Sequence, residues 1–283
     1  MAEIALRMFG RPRVGRRRPQ RSGLAVAGFV IVGVIAVAAL AAPLITSYHP
    51  NRVDIAHSLE PPSGAHWFGT DDAGRDVFTR VLYGARLDLV VVILVTYLSL
   101  IIGVLLGSIS TYFGGWPDII VGRVADSVIA FPFIVLVLAV VAALGPGLTS
   151  ISIGILVVGW ALYARLSRSE MLAIREREFM LATKTLGYSH KRAIFRHAIP
   201  NLIRSSLVYS TIDVVGNLLL VAAMSYLGLG QQAPTPDLGA IIAGGQPLIL
   251  NAWWIATLPG VVLVVFGFGV SMIGDGVSGD DGK

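Results

Sequence analysis

Six long apolar runs, separated by shorter polar stretches, dominate the chain. They are Leu24–Leu44, Leu89–Ser110, Ser127–Leu144, Ile151–Ala164, Ser205–Tyr226 and Ala252–Gly274. A bilayer core of about 30 Å is crossed by about 20 helical residues at a rise of about 1.5 Å each. The pattern therefore predicts an all-α membrane protein with six transmembrane helices, of which the fourth is the shortest.

The composition supports this reading. The chain is 55% hydrophobic and 14% charged, whereas a soluble domain carries roughly 25% charged residues. That difference argues strongly against a water-soluble globule and, more firmly still, against a disordered chain. Basic residues before the first run resemble the start of a signal peptide, but its apolar stretch of about 20 residues exceeds the usual ~7–15. We therefore interpret the first run as a retained helix.

Lysine and arginine are distributed unevenly between the runs. Seven arginines precede the first run and nine basic residues lie between the fourth and fifth, but only four lie between the first and second. Basic residues favour the cytoplasmic side of a membrane. With the N-terminus inside, 18 of the 22 basic residues lie inside and 4 outside. Both termini are therefore predicted to be cytoplasmic, and the basic residues indicate membrane orientation rather than nucleic-acid binding.

The runs and the charges divide the chain into five parts. These are a cytoplasmic basic segment (1–22), a first transmembrane helix (23–44), an extracytoplasmic loop (45–86), a five-helix core (87–274) that includes a cytoplasmic loop (169–200), and a cytoplasmic tail (275–283).

No motif for autonomous chemistry is present in the sequence. A phosphate-binding loop needs a glycine-rich turn followed by Lys and Ser/Thr, and the only Gly-Lys pair ends the chain. Cysteine is absent, and three histidines of the extracytoplasmic loop (His49, His57 and His66) have irregular spacing. We expect no catalytic site, no metal site and no cofactor in this chain. Any energy source would lie on another chain or in an ion gradient.

The long cytoplasmic loop, residues 169–200, has the pattern of two short helices. Ser169–Leu186 contains neither glycine nor proline, and Gly187 is predicted to end that helix as a C′ residue. Ser189 can cap a second helix, His190–Ala198, which Pro200 is predicted to end. Such a pair can lie on anionic lipid or serve as a docking element for a soluble partner, and the glycine and proline favour the defined shape that docking needs.

An apolar stripe runs along the first of these helices. Phe179, Ala182 and Leu186 fall at i, i+3 and i+7, which places them on one helical face. Elsewhere, Pro132 and Pro259 predict kinks, because proline removes a backbone hydrogen bond. Gly103 and Gly107 permit close approach of a neighbouring helix.

The cytoplasmic loop resembles the EAA signature of ABC-importer permeases, which is Glu-Ala-Ala, three residues, Gly, nine residues, Ile-x-Leu-Pro. Leu181-Ala182-Thr183 occupies the first triplet, Gly187 the glycine, and His197-Ala198-Ile199-Pro200 the end, with the spacing intact. Leu181, Thr183 and His197 depart from the family residues. The resemblance assigns ATPase coupling to Glu178, Phe179, Ala182, Thr183, Gly187, Arg196, His197 and Pro200.

Nearly the whole chain resembles the second, C-type permease subunit of dipeptide, oligopeptide and nickel importers. The resemblance continues in His66–Val77, Leu82–Arg86, Tyr112–Trp116, Tyr226–Gly230 and Ala252–Trp254. It implies a type I importer permease fold in the bacterial cytoplasmic membrane. It also implies that the extracytoplasmic residues Gly69, Thr70, Asp71, Gly74, Arg75 and Asp76 form a structured loop beneath a binding protein.

The resemblance further implies a set of partners. They are a second, homologous permease in a heterodimer, two ATP-binding subunits or one fused ATPase that bind ATP and Mg²⁺, and an extracytoplasmic substrate-binding protein. The implied function is ATP-driven uptake of dipeptides or short oligopeptides. Nickel, glutathione and other small solutes are alternatives within the family.

Four polar residues of the fifth span form one helical stripe: Ser206, Ser210, Asp213 and Asn217. An acid within a span costs about 2.5–3.5 kcal/mol on insertion scales unless it is paired or hydrated. We expect the stripe to face the substrate path or the partner permease. The alternative is hydrogen bonding between helices inside this subunit.

Two other classes of protein compete with an ABC permease. A self-contained secondary transporter or channel needs an ion site near mid-membrane and often carries an internal repeat. The sequence offers Asp213 as its deep acid and no convincing repeat. A membrane scaffold without a transport role is the third interpretation.

Overall fold

A computed structural model describes residues 20–278. The helices of eight or more residues, in chain order, are α1 (Gln20–Leu40), α2 (Val77–Phe113), α3 (Gly115–Ile129), α4 (Phe133–Leu144), α5 (Leu148–Ile174), α6 (Glu178–Thr185), α7 (His190–Tyr226), α8 (Leu238–Gly245) and α9 (Trp254–Ser278). Shorter helical pieces cover Ala42–Ile45, Ile55–His57 and Gln246–Leu248. Within that range the only extended pairing is an isolated bridge between Thr70 and Asp76. The predicted all-α class is confirmed, whereas the basic segment before Gln20 and the end of the tail lie outside the described residues.

The number of membrane-spanning helices is five or six in the described range. Five helices, α1, α2, α5, α7 and α9, are long and apolar enough to cross a membrane. The third predicted span is instead the pair α3 and α4, which meet at 88°. The carbonyl of Pro132 accepts the backbone N–H groups of Val135 and Leu136, so that proline begins α4. At Pro132 the predicted kink is therefore a sharp bend between two helices, whereas Pro259 lies inside the continuous α9.

The second span begins twelve residues earlier than the apolar pattern predicts. Asp76 caps α2, so residues 77–86 of the predicted extracytoplasmic loop are helical. The first turns carry Arg80, which hydropathy alone assigns to a loop. In the structure Arg80 is 8% exposed and donates a hydrogen bond to the Pro50 carbonyl oxygen at 3.1 Å. The preceding loop, residues 46–76, thus covers a polar helix end, and we call it the outer loop.

The largest interface joins α2 to α5. A Cβ added to Gly103 would lie 2.5 Å from Cβ of Tyr163, and one added to Gly107 would lie 2.9 Å from Cα of Ala164. The helices approach this closely because both glycines lack a side chain. The main apolar core lies around α2, α5, α7 and α9, with α1 against α9.

The predicted helix Ser169–Leu186 is wrong as a single element. The fourth span continues to Ile174, residues 175–177 form a turn, and α6 follows. The turn allows Met180 to pack with Met171 and Ile174 in a second apolar cluster, in which all three are nearly inaccessible. Burial of these side chains decides the break, which no glycine or proline marks.

The predicted end of the second short helix at Pro200 is also wrong. The chain passes from His190 to Tyr226 as one helix, with a π-helical stretch at Ala193–Ala198. In that stretch the Ile199 N–H reaches the Ile194 carbonyl. Pro200 then lies in the first turn of the regular α-helical part of α7, directly after the π-helical stretch, which changes the backbone hydrogen-bond register just before the proline.

Candidate functional site: the coupling segment and its surroundings

Residues 169–200, here called the coupling segment, contain a helix with two unlike faces. On one face of α6, Met180 is fully buried and Thr183 is 5% exposed. The Thr183 hydroxyl donates to the Met180 carbonyl oxygen at 2.7 Å, so its polar group is satisfied inside the helix. The adjoining face holds the predicted stripe, with Phe179 36% and Leu186 68% exposed. The stripe is therefore an outward-facing apolar surface.

The end of α6 is built as the sequence predicts. Gly187 has φ +71°, a left-handed conformation that suits glycine. The Leu186 N–H binds the Ala182 carbonyl and the Tyr188 N–H binds the Thr183 carbonyl, which are the closing bonds of a helix C-terminus. The predicted C′ role of Gly187 is confirmed.

The next helix begins with the predicted cap. The Ser189 hydroxyl accepts the Arg192 N–H at 3.4 Å. Between the two helices, Tyr188 stacks on His197 at 5.7 Å between ring centroids, and the Arg192 guanidinium lies 4.1 Å from the centre of the Tyr188 ring. The corner of the coupling segment is therefore filled by side chains rather than left open.

The remaining predicted coupling residues differ in exposure. Glu178 and Arg196 are exposed, and so is Pro200. His197 is half-buried, and its Nε2 is inaccessible and has no hydrogen-bond partner among the described residues. The Asn201 side-chain amide donates to the His197 carbonyl oxygen at 2.6 Å, where the π-helical stretch ends. The Glu178 and Arg196 side chains are therefore accessible, whereas the His197 ring packs against Tyr188 inside the corner.

Contacts that the sequence pattern does not reveal tie the coupling segment to the spans. The Tyr112 hydroxyl, at the end of α2, lies 3.1 Å from Nδ1 of His190. The Ser205 hydroxyl of α7 donates to Glu170 of α5 at 2.9 Å. The first pair is separated by 78 residues and the second by 35, so no local periodicity could have shown them.

The outer loop is organised around the carboxylate of Asp71. It accepts Nε of Arg75 at 2.7 Å and the backbone N–H groups of Ala73 and Arg75 at 3.0 and 2.9 Å. Nε of Arg80, on α2, lies 3.5 Å from the same carboxylate. Gly74 has φ +70° and lies against this turn. One acid thus holds the turn and joins it to the second span.

Thr70 connects the outer loop to the last span. Its hydroxyl donates to the His57 carbonyl at 2.6 Å and accepts the Glu60 N–H at 2.8 Å. Nε1 of Trp254, at the start of α9, donates to the Thr70 carbonyl oxygen at 3.1 Å. A Cβ on Gly69, which has φ +70°, would lie 2.6 Å from that indole nitrogen. The predicted structured loop is present, and contact with a binding protein stays a prediction.

Asp76 closes the outer loop at the start of α2. It accepts the Thr79 N–H at 2.7 Å and lies 2.9 Å from Nδ1 of His66. Within residues 20–278 no group of three or more His, Asp or Glu side chains is arranged to hold a metal ion.

The polar stripe of the fifth span faces the inside of this subunit. Ser206 and Ser210 are buried, and the buried Asn217 amide donates to the Thr96 hydroxyl of α2 at 2.9 Å. Asp213 is half-buried and accepts the Tyr163 hydroxyl of α5 at 2.9 Å. These contacts are those of the alternative, hydrogen bonding between helices of one subunit. A role in the substrate path stays a prediction, and only Asp213 has an accessible surface for it.

The fold and the site together define a helical membrane protein with a two-faced helix, α6, between the spans α5 and α7. Residues 99–277 match the model of the family described as the binding-protein-dependent transport system inner membrane component. Residues 15–62 match the N-terminal transmembrane domain of oligopeptide transport permease C.

Curated relatives extend along almost the whole chain. The dipeptide transport system permease protein DppC of Alkalihalophilus pseudofirmus is 41% identical over 91% of this chain and 85% of its own length. The probable D,D-dipeptide transport system permease protein DdpC of Escherichia coli K12 is 35% identical over 90% and 86%. The oligopeptide transport system permease protein OppC of Bacillus subtilis is 36% identical over 90% and 83%.

The chain therefore belongs to the binding-protein-dependent transport system inner membrane component family. It is a multi-pass ABC-importer permease of the bacterial inner membrane. The predicted resemblance to the C-type permease is confirmed. Membership of this family argues against a self-contained secondary transporter and against a scaffold.

Proposed function

We propose that this chain is the C-type permease subunit of an ATP-driven importer of dipeptides or short oligopeptides. Relatives that match at least 90% of the chain are permeases of dipeptide, D,D-dipeptide and oligopeptide transport systems. Nickel, glutathione and other small solutes are the alternative substrates, because a binding protein selects the solute before it reaches the permease.

The observation that carries the coupling role is the division of α6 into two faces. Met180 and Thr183 fix one face to the spans, while Phe179, Ala182 and Leu186 leave an apolar surface open. A partner that binds the open face can displace the helix without melting it, because the buried face and the Gly187 turn keep its shape. A partner ATPase that closes on ATP would move α6 and α7 together, and α7 is itself a span.

The partners in this proposal are a second, homologous permease, two ATP-binding subunits or one fused ATPase, and a substrate-binding protein. ATP and Mg²⁺ are bound by the ATPase subunits, since the sequence of this chain carries no phosphate-binding loop. The chain itself is a transport subunit without a catalytic site.

Site-specific cross-linking tests the docking face. The chain has no cysteine, so Leu186→Cys introduces a unique thiol on the exposed stripe. Leu250→Cys, at 95% exposure on the far side of the spans, is the matched control. With a cross-linker that carries one thiol-reactive and one photoactivated group, Leu186→Cys should capture an ATPase subunit in native membranes and Leu250→Cys should not. Equal capture by both variants, or capture by neither, would contradict the proposed docking face.

Transport by the reconstituted complex tests the substrate. Vesicles that contain the complex and its binding protein should take up a labelled dipeptide when ATP is supplied on the ATPase side. Excess unlabelled dipeptide should compete, whereas Ni²⁺ and glutathione should not. Competition by Ni²⁺ or glutathione alone would replace the peptide assignment with that solute.

A further inference from the structure

The corner between α2 and α3 is a tight reversal that lies beside the coupling segment. Two consecutive residues, Gly114 and Gly115, have φ +67° and +63°. A Cβ on Gly115 would meet nothing within 4 Å. The backbone conformation, and not a lack of space, therefore makes glycine the suitable residue there.

An ion pair joins the start of α3 to the inner end of α5. Nε and Nη2 of Arg168 donate to the two carboxylate oxygens of Asp118 at 2.7 and 2.8 Å. The Thr111 hydroxyl, on the last turn of α2, donates to the same carboxylate at 2.9 Å. A two-pronged arginine–carboxylate contact fixes direction as well as distance. Asp118 therefore holds three helices in a defined orientation.

The same corner touches the coupling segment at two further points. Nη1 of Arg175, in the turn between α5 and α6, donates to the Thr111 carbonyl oxygen at 3.3 Å. His190, the first residue of α7, approaches the Tyr112 hydroxyl and lies 5.5 Å from the ring of Phe113. Displacement of α6 and the start of α7 is thus transmitted to the end of α2.

The helix that follows the corner, α3, is largely exposed along its length. Among the α3 residues only Ala125 is buried, and α3 meets α4 at 88°. A cavity of about 510 Å³ lies between α3 and α5 and is bordered by Asp118 and Arg168. This open volume gives α3 room to change its position against α5, with the ion pair at one edge.

We propose that Asp118 and Arg168 are positioning residues that transmit movement of the coupling segment to α3 and α4. This inference rests on the proposed function, because it assumes that an ATPase moves that segment. When the ion pair is intact, α3 moves together with α5 and the coupling segment. When the pair is removed, ATP hydrolysis continues but α3 and α4 no longer move with α5. The amount of peptide taken up per ATP hydrolysed then falls.

The test compares uptake with ATP hydrolysis in the same vesicles of the complete complex. Asp118→Asn and Arg168→Gln should each lower the peptide taken up per ATP hydrolysed by about fivefold or more, the lower end of typical couplings between sites. The double variant Asp118→Arg/Arg168→Asp should recover part of that ratio, because it restores an oppositely charged pair. Arg165 borders the same cavity and forms no ion pair with a described residue, so Arg165→Gln is the matched control and should leave the ratio unchanged.

Three outcomes would overturn the inference. The first is an unchanged ratio in Asp118→Asn. The second is a proportional loss of uptake and hydrolysis in an intact complex, which indicates a merely structural pair. The third is a double variant no better than the single ones. If a single variant fails to assemble, the peptide taken up per ATP hydrolysed by Asp118→Glu and by the double variant decides between these outcomes. Absence of ATP-driven peptide uptake by the wild-type complex would instead refute the proposed function.

A distance measurement provides a readout apart from activity. Spin labels on Trp116→Cys of α3 and Val157→Cys of α5 occupy exposed positions, at 76% and 42% exposure. Their separation should change when a non-hydrolysable ATP analogue is bound to the complex. Adding Asp118→Asn should abolish that change while leaving analogue binding intact. A change that persists in the presence of Asp118→Asn would show that the pair does not position α3.

Discussion

Enlarging Gly103 or Gly107 should separate two spans that now touch backbone to backbone. An added Cβ at Gly103 would lie 2.5 Å from Cβ of Tyr163 and 2.8 Å from N of Ala164. At Gly107 it would lie 2.9 Å from Cα and 3.0 Å from the carbonyl carbon of Ala164. The atoms that it meets belong to the backbone or its first side-chain carbon, so no rotation of a flexible side chain can relieve the overlap.

The size of the effect follows from these distances. Carbon atoms in contact prefer about 3.5–4.0 Å, so α5 must retreat by about 1 Å to admit one methyl group at Gly103. A gap of about 0.5–1 Å already forfeits a quarter to a half of the dispersion energy of each facing atom pair. Gly103→Ala should therefore lower the free energy of unfolding by about 1–3 kcal/mol, the usual cost of overpacking.

The two sites should also be non-additive. Both glycines face Ala164 of the same helix. Once one alanine has pushed α5 away, the second finds part of its space already open. The double variant should therefore cost less than the sum of the single variants, by at least about 0.5 kcal/mol.

Unfolding by sodium dodecyl sulfate in mixed micelles, followed by circular dichroism, measures these differences. Gly216→Ala in α7 is the matched control, because a Cβ there meets nothing within 4 Å. The control should be neutral or slightly stabilising, since alanine has the higher helix propensity. The reasoning would be refuted by Gly103→Ala behaving like Gly216→Ala, or by a double variant whose cost equals the sum.

Two further predictions concern the Gly187 turn of the coupling segment and the Asp76 cap at the end of the outer loop. Gly187→Ala should destabilise the corner after α6 by about 1–2 kcal/mol, because an L-residue resists the left-handed conformation. Gly187→Asn should retain more uptake, since asparagine tolerates that conformation; equal uptake by the two variants would contradict the backbone argument. Asp76→Ala should lower the free energy of unfolding by about 0.5–2 kcal/mol through loss of the α2 cap, whereas Asp76→Asn should lose less. Limited proteolysis of the outer loop would reveal the difference, and equal cleavage of both variants would show that the cap is not the cause.

The sequence by itself determined those features that depend on neighbouring residues. Apolar runs long enough to cross a bilayer define the membrane class. The conformational freedom of Gly187 and the capping hydroxyl of Ser189 define two helix ends. The glycines at positions 103 and 107 mark a close helix contact, because small residues four apart lie on the same face. Each of these is a local property of the backbone or of one helical face.

Tertiary structure decided where local signals conflict or are absent. The break after Ile174 follows from burial of Met180 against α5, although the local sequence favours a continuous helix. Pro200 follows a π-helical stretch, so α7 continues through a residue at which local rules would end it. In the first case contacts with another span outweigh a small local preference; in the second, a change in the backbone hydrogen-bond register precedes a residue that strongly opposes a regular helix.

The sequence also could not identify the hydrogen-bonding partners of the polar side chains within the spans. A helical stripe shows that Asp213 and Asn217 share a face, but it cannot show that the face meets Tyr163 and Thr96 inside the same subunit. The two-pronged ion pair between Arg168 and Asp118 joins residues that lie 50 positions apart in the sequence. Sequence periodicity records the side of a helix on which a residue lies. Only the packing of the helices decides what lies opposite, because it is fixed by the sum of many contacts between distant parts of the chain.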